Sequence, residues 1–111
     1  MKFSYLNDIE LYMGSNKLSD KLLRVERTVN VYRNENDELL QEVNVDVIPF
    51  ETLKEIVPPD KDDPEMFEGY RLTADQLNKI NTYLIEEIVP DFNLYVYILF
   101  CAGIYREDNK I

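Results

Sequence analysis

Val25-Glu26-Arg27-Thr28-Val29-Asn30-Val31-Tyr32-Arg33, followed by Asn34-Glu35-Asn36-Asp37-Glu38 and then by Leu39-Leu40-Gln41-Glu42-Val43-Asn44-Val45-Asp46-Val47, is the stretch that decides the fold. Val25, Val29 and Val31 share one parity, while Glu26, Thr28, Asn30 and Tyr32 take the other. Leu39, Gln41, Val43, Val45 and Val47 then alternate with Leu40, Glu42, Asn44 and Asp46. A repeat of two among β-branched residues is the pattern of half-buried strands. The five polar residues between the runs supply a loop, so the stretch predicts an antiparallel hairpin with Glu42, Asn44 and Asp46 on its wet face.

Downstream, Pro49 can open a short helix, because a missing N–H costs nothing in the first turn; Phe50, Leu53, Ile56 and Val57 then share a helical face until Pro58-Pro59. Residues 60 to 69 lack apolar periodicity and hold five acids against Lys61, which reads as an exposed loop anchored by Met66 and Phe67. Tyr70-Arg71-Leu72 is an extended connector. Thr73 with Gln76 forms a capping box, so a helix should follow, its apolar residues Leu77, Ile80, Leu84, Ile85 and Ile88 spaced by threes and fours and Pro90 ending it. In the last run, Phe92 to Tyr105, Leu94, Val96, Ile98, Phe100 and Ala102 lie on one face and Tyr95, Tyr97, Leu99 and Cys101 on the other, as in a strand central to its sheet. Upstream, Ile9, Leu11 and Met13 suggest a short strand, and Leu18 to Leu23 could begin with a helical turn capped by Ser19 or Asp20. Residues 1–111 thus read as a single α+β domain: a mostly antiparallel sheet of four to five strands with two helices.

The charge is one-sided. Among the 111 residues the net charge is −10, and the segment Glu35–Glu68, with twelve acids and only Lys54 and Lys61 as bases, carries all of it. A field of one sign speeds encounter with a basic surface and repels nucleic acid and anionic membrane. The alternative is a merely solvated run. The start of the chain lacks the apolar core of an export signal, and the longest apolar run is shorter than the roughly 20 residues of a spanning helix, so a cytoplasmic location is expected. The single cysteine, Cys101, permits no internal disulfide and lies in an apolar run, as a core residue does.

No histidine occurs, which removes the commonest general base and metal ligand, and three scattered glycines make no phosphate-cradling loop. Asp60-Lys61-Asp62 begins like a calcium loop, but Pro64, Glu65 and Arg71 stand where its pattern needs other residues. Neither a catalytic set nor a cofactor is expected. The eight tyrosines suit interfaces, although alternation alone explains Tyr95 and Tyr97.

In its size, its acidity, its lack of catalytic residues and of an export signal, and in the family-like look of Asp63-Pro64-Glu65-Met66-Phe67-Glu68-Gly69-Tyr70, the chain resembles the small acidic immunity proteins that neutralise bacterial polymorphic or contact-dependent growth inhibition toxins. The resemblance covers the whole chain as a class and implies a cytoplasmic inhibitor of a basic toxin, a nuclease, whose cationic cleft it fills or flanks. It transfers no residue; it is the one-sided charge that points to Asp60, Asp62, Asp63, Glu65 and Glu68 entering or rimming that cleft, to Glu35, Asp37 and Glu38 extending the field, and to Phe67 and Tyr70 as apolar anchors. The expected partner is a basic protein, with no nucleic acid and no membrane, and the expected state a monomer or weak dimer. Two other readings stand beside it: an adaptor or assembly protein using a Tyr-rich sheet face, and a DNA-mimicking nuclease inhibitor.

Overall fold

The structure, a computed structural model, describes residues 22–105. In chain order it contains β1 (Leu22–Arg33), β2 (Leu39–Asn44), α1 (Phe50–Ile56), β3 (Tyr70–Arg71), α2 (Ala74–Asn81) and β4 (Tyr95–Tyr105). The strands form one antiparallel sheet in the order β2-β1-β4-β3. This is an α+β fold, with β4 central as its sequence suggests and β1 beside it. The proposed strand around Ile9–Met13 lies outside the described residues, and so does the start of the Leu18–Leu23 turn, whose last two residues belong to β1.

The hairpin forms as the alternation predicts. Arg33 N–H donates to Glu38 O at 2.9 Å and Asp37 N–H to Arg33 O at 2.9 Å, closing the loop over residues 34–38. Asp37 takes φ 60°, a left-handed conformation that Asp tolerates better than most residues. Glu38 N–H donates to Asn36 Oδ1 at 3.1 Å. The register runs Val29↔Val43 and Val31↔Gln41, then shifts so that Tyr32 faces Leu39. Leu40 is the extra residue of this bulge. The strict alternation expected of β2 therefore breaks at its start, and Leu39 and Leu40 remain 45% and 39% exposed. It also ends early: Ile48 N–H turns back to Val45 O at 3.0 Å, which leaves Val47 outside the core. Asp46 Oδ1 instead accepts the Arg27 N–H at 2.9 Å, a side chain standing in for a strand carbonyl. Wet-face residues Glu42, Asn44 and Asp46 are exposed. Asn30, on the same face of the sheet, is buried and bridges Thr28 and Tyr32 by hydrogen bonds of 2.7 and 3.3 Å.

One face of the sheet carries both helices. Val29 and Val31 of β1 and Tyr97 and Leu99 of β4 pack in a single core with Leu53 of α1 and Leu77 and Ile80 of α2. Each such buried aliphatic side chain contributes about 1.5–3 kcal/mol relative to exposure. Tyr95, Tyr97, Leu99 and Cys101 thus belong to the helix-covered face. Tyr97 is 1% exposed, its hydroxyl accepting from Asp91 N–H at 2.8 Å, and Phe92 and Tyr95 lie 4.8 and 6.5 Å from its ring. Tyr97 therefore fills the core and offers no surface, while Tyr95 is half-buried. Cys101 is buried, as its apolar surroundings predict.

Pro49 caps α1, accepting the Leu53 N–H at 2.9 Å. The capping box at Thr73 is complete, with Gln76 N–H to Thr73 Oγ1 at 3.2 Å and Thr73 N–H to Gln76 Oε1 at 2.9 Å. Gln76 Nε2 also donates to Ile56 O at 3.3 Å, tying α2 to the end of α1. Thr73→Ala is expected to cost about 1 kcal/mol, the usual worth of such a cap, read as a lower urea midpoint with unchanged slope.

The second helix is shorter than its apolar spacing predicts. It stops at Asn81, whose side chain closes on Ile88: Nδ2 donates to Ile88 O and Oδ1 accepts from Ile88 N–H, both at 2.8 Å. This amide pairing folds residues 82–90 back as a loop, returning Ile88 to the core while Ile85 is left fully exposed. The last strand likewise starts at Tyr95, after a turn in which Tyr95 N–H donates to Asp91 O at 2.9 Å. Among the described residues no helix is long and apolar enough to cross a membrane.

Candidate functional site

The acidic loop begins where Pro58-Pro59 ends α1. Asp63 N–H donates to Asp60 O at 3.0 Å and Met66 N–H to Asp63 O at 3.0 Å, giving two consecutive turns. Met66 adopts φ 56°, a left-handed conformation that costs a non-glycine residue about 1 kcal/mol or more. Its side chain repays that strain by entering the core, where it is 2% exposed. From β1, Arg27 Nη2 donates to Glu65 O at 2.7 Å while its guanidinium lies 4.5 Å from the Phe50 ring centroid, so the loop is fastened to the sheet as well.

Asp63 organises this loop from inside. Its Oδ1 accepts the Phe67 N–H at 2.8 Å, and its Oδ2 accepts the Glu68 N–H at 3.0 Å and the Tyr70 hydroxyl at 2.6 Å. The Tyr70 oxygen in turn accepts from Asp60 N–H at 3.1 Å, so one phenol links the two ends of the loop. Burial is the main reason that the Tyr70 hydroxyl is pushed up to about 12, and the bond to the Asp63 carboxylate adds to it. Tyr70 itself is held in β3 opposite Leu99 of β4.

What this frame presents is an open concavity of about 520 Å³ lined by Asp60, Lys61, Asp62, Asp63 and Glu68. Asp60, Asp62 and Glu65 are exposed, Phe67, Glu68 and Tyr70 half-buried, and Asp63 buried. The loop therefore divides residues that look alike in sequence. Asp60, Asp62 and Glu65 can meet a partner directly, whereas both oxygens of Asp63 are committed to the loop and Tyr70 spends its hydroxyl on Asp63 and Asp60. Among the described residues, no group of three or more carboxylates or thiolates converges as a metal ion would require.

Glu35, Asp37 and Glu38 are exposed in the hairpin loop, with Glu38 Oε1 accepting from Arg33 Nε at 3.4 Å. They do not join the loop at Asp60–Glu68. The hairpin loop bonds to the turn before β4 through Asn34 N–H to Leu94 O at 2.8 Å, whereas Glu65 is bound to Arg27. Seven residues of extended chain separate Arg27 from Asn34, roughly 23 Å at ~3.3 Å per residue. The acidic segment, continuous in sequence, is thus split between two ends of the sheet. Exposed Val89, Ile85 and Leu94 escape a reading by periodicity, since helix and strand patterns place them inside regular elements.

A family model described as a domain of unknown function, DUF7683, matches residues 26–99, from within β1 to the middle of β4. No curated protein and no solved structure matches the chain.

Proposed function

The chain belongs to the DUF7683 family, and we propose that it is an immunity-type protein that binds and neutralises a basic toxin, a nuclease, by setting its acidic loop into or beside the toxin's cationic cleft. The observation that carries this reading is the loop's construction. Asp60, Asp62 and Glu65 stand exposed on a frame fixed by Asp63, Tyr70, Met66 and Arg27, so their charges are placed without ordering a flexible chain on binding. A nuclease must hold phosphates with cationic groups, and preset carboxylates match that field while offering no scissile bond.

The test uses the triple variant Asp60→Lys, Asp62→Lys, Glu65→Lys, which spares Asp63 and so leaves the loop's frame intact. Wild type and variant are used to capture proteins from source-cell lysate at low and high salt, and the captured protein is assayed for RNA and DNA cleavage with equimolar wild type added. The expected result is one basic nuclease, retained by wild type at low salt, released at high salt, inhibited by wild type and lost by the variant. Equal capture by the variant would remove the loop from the interface, and a captured partner without nuclease activity would overturn the toxin assignment.

A further inference from the structure

At the hairpin end of the helix-covered face is a cleft of about 200 Å³. Val31 and Tyr97 form its floor, Leu40 and Gln41 of the edge strand one wall, and Ile88 and Val89 of the folded-back loop the other. Its volume is on the scale of one large side chain. Its rim is apolar and open to solvent, with Leu40 39% and Val89 81% exposed. Both walls exist because of departures from regular structure: the bulge turns Leu40 out of the strand alternation, and the Asn81–Ile88 pairing sets Val89 beside the sheet.

The loops around this cleft are acidic. The loops next to its walls, residues 34–41 and 82–94, contain six acids, Glu35, Asp37, Glu38, Glu86, Glu87 and Asp91, and no base, whereas Glu42 and Asp46 lie on the opposite, wet face. The two loops are fastened together by Asn34, which donates its N–H to Leu94 O and its Nδ2 to Asn93 O at 2.8 and 3.2 Å. A base on this face, Arg33 opposite Tyr95, pairs with Glu38 at 3.4 Å. An apolar cleft inside an acidic rim selects a complementary ligand: one large apolar side chain flanked by Lys or Arg. We propose that this cleft is a docking site for such a segment of a basic partner protein. Desolvating the apolar anchor would hold the complex, and the rim acids would set its rate of formation and salt dependence. A second copy of this chain is disfavoured as occupant, because it would bring the same acidic rim against this one. The inference shares with the proposed function the basic character of the partner, but it concerns a different surface: along β4, Tyr95 beside this cleft is four residues from Leu99 beside the acidic loop, about 13 Å at ~3.3 Å per residue.

The probes are two capped peptides, Lys-Lys-Phe-Lys-Lys and Lys-Lys-Ala-Lys-Lys, titrated into the labelled protein and followed by two-dimensional amide NMR. The phenylalanine peptide is expected to bind at least about tenfold more tightly, the scale of one buried apolar anchor, and to shift the amides of Val31, Gln41, Ile88 and Val89. Val89→Asp, at a position too exposed to affect folding, should reduce that ratio to near one. Glu86→Lys with Glu87→Lys should weaken both peptides, and the Asp60, Asp62, Glu65 variant should leave the ratio unchanged. Equal binding of the two peptides, or shifts confined to residues 60–68, would overturn the proposal. So would sedimentation showing a wild-type dimer that Val89→Asp dissolves, which would make the occupant a second copy. Loss of the anchor preference with toxin capture retained removes this site alone, and loss of capture with the preference retained removes the acidic-loop reading alone.

Discussion

Asp63→Ala is expected to lower stability by about 3 kcal/mol, since hydrogen bonds to a charged acceptor are each worth about 1.5–3 kcal/mol and their part-buried donors would be left unpaired. Three donors converge on this carboxylate, from the Phe67 and Glu68 backbones and the Tyr70 hydroxyl. Urea unfolding should show the midpoint falling while the slope is kept. The variant should also lose partner binding although Asp63 is buried, because Asp60, Asp62 and Glu65 lose the frame that places them. Titration of Tyr70 supplies an independent readout. Its ordinary value is 10.0 and its value in the fold is about 12, so the folded state keeps a proton that the unfolded chain releases between those pH values. Stability from this group is therefore complete below about pH 10 and is lost as pH rises through about 12. Carbon-13 NMR of labelled tyrosine should find the Tyr70 value moved part of the way back in Asp63→Ala, since burial, the largest cause, persists. An unmoved titration with unchanged stability would mean that the carboxylate does not hold the loop.

Asn81→Ala is expected to be nearly as costly, about 2–4 kcal/mol, because it strips partners from both the N–H and the carbonyl of Ile88, each an unmade buried bond of about 1–3 kcal/mol. Both bonds are 2.8 Å long and Asn81 is itself buried, so water cannot readily replace the amide. The effect should be local before it is global. With the pairing gone, Thr82, Tyr83 and Leu84 keep their turn bonds to Lys79, Ile80 and Asn81, but residues 85–90 lose the bonds that draw Ile88 into the core. Hydrogen exchange should show the Ile88 amide losing protection while amides of the β1–β4 ladder keep theirs relative to the new global stability. The same variant dismantles one wall of the apolar cleft, so the Phe-over-Ala preference of the peptides should vanish with it. An Ile88 amide that stays protected would show that packing of the loop, and not the Asn81 side chain, sets the end of the helix.

Where local patterns govern geometry, the amino-acid sequence was sufficient. The repeat of two in Val25–Val31 and Gln41–Val45, the polar residues 34–38 and the Thr73–Gln76 pair each specify their own neighbourhood, and the hairpin, the cap and the α+β class follow. The acidity of residues 60–69 was equally plain in the sequence, as was the central place of a last strand apolar on both faces. That double-sided pattern could not say which face the helices cover, because either set of side chains could be buried; the tertiary fold chose Tyr95, Tyr97, Leu99 and Cys101. Nor could spacing end α2 at Asn81, since Leu84 and Ile88 continue the helical period and the deciding bonds reach across an irregular loop. Among neighbouring carboxylates, only closure of the loop around the Tyr70 hydroxyl turned Asp63 inward and left Asp60, Asp62 and Glu65 outside. A charge count is additive along the chain, whereas the separation of Glu35–Glu38 from Asp60–Glu68 depends on where the sheet carries each end. Propensity and periodicity act over a few residues, and they fixed the elements. Burial and hydrogen bonding between segments distant in sequence decided which of those residues became structure and which became surface.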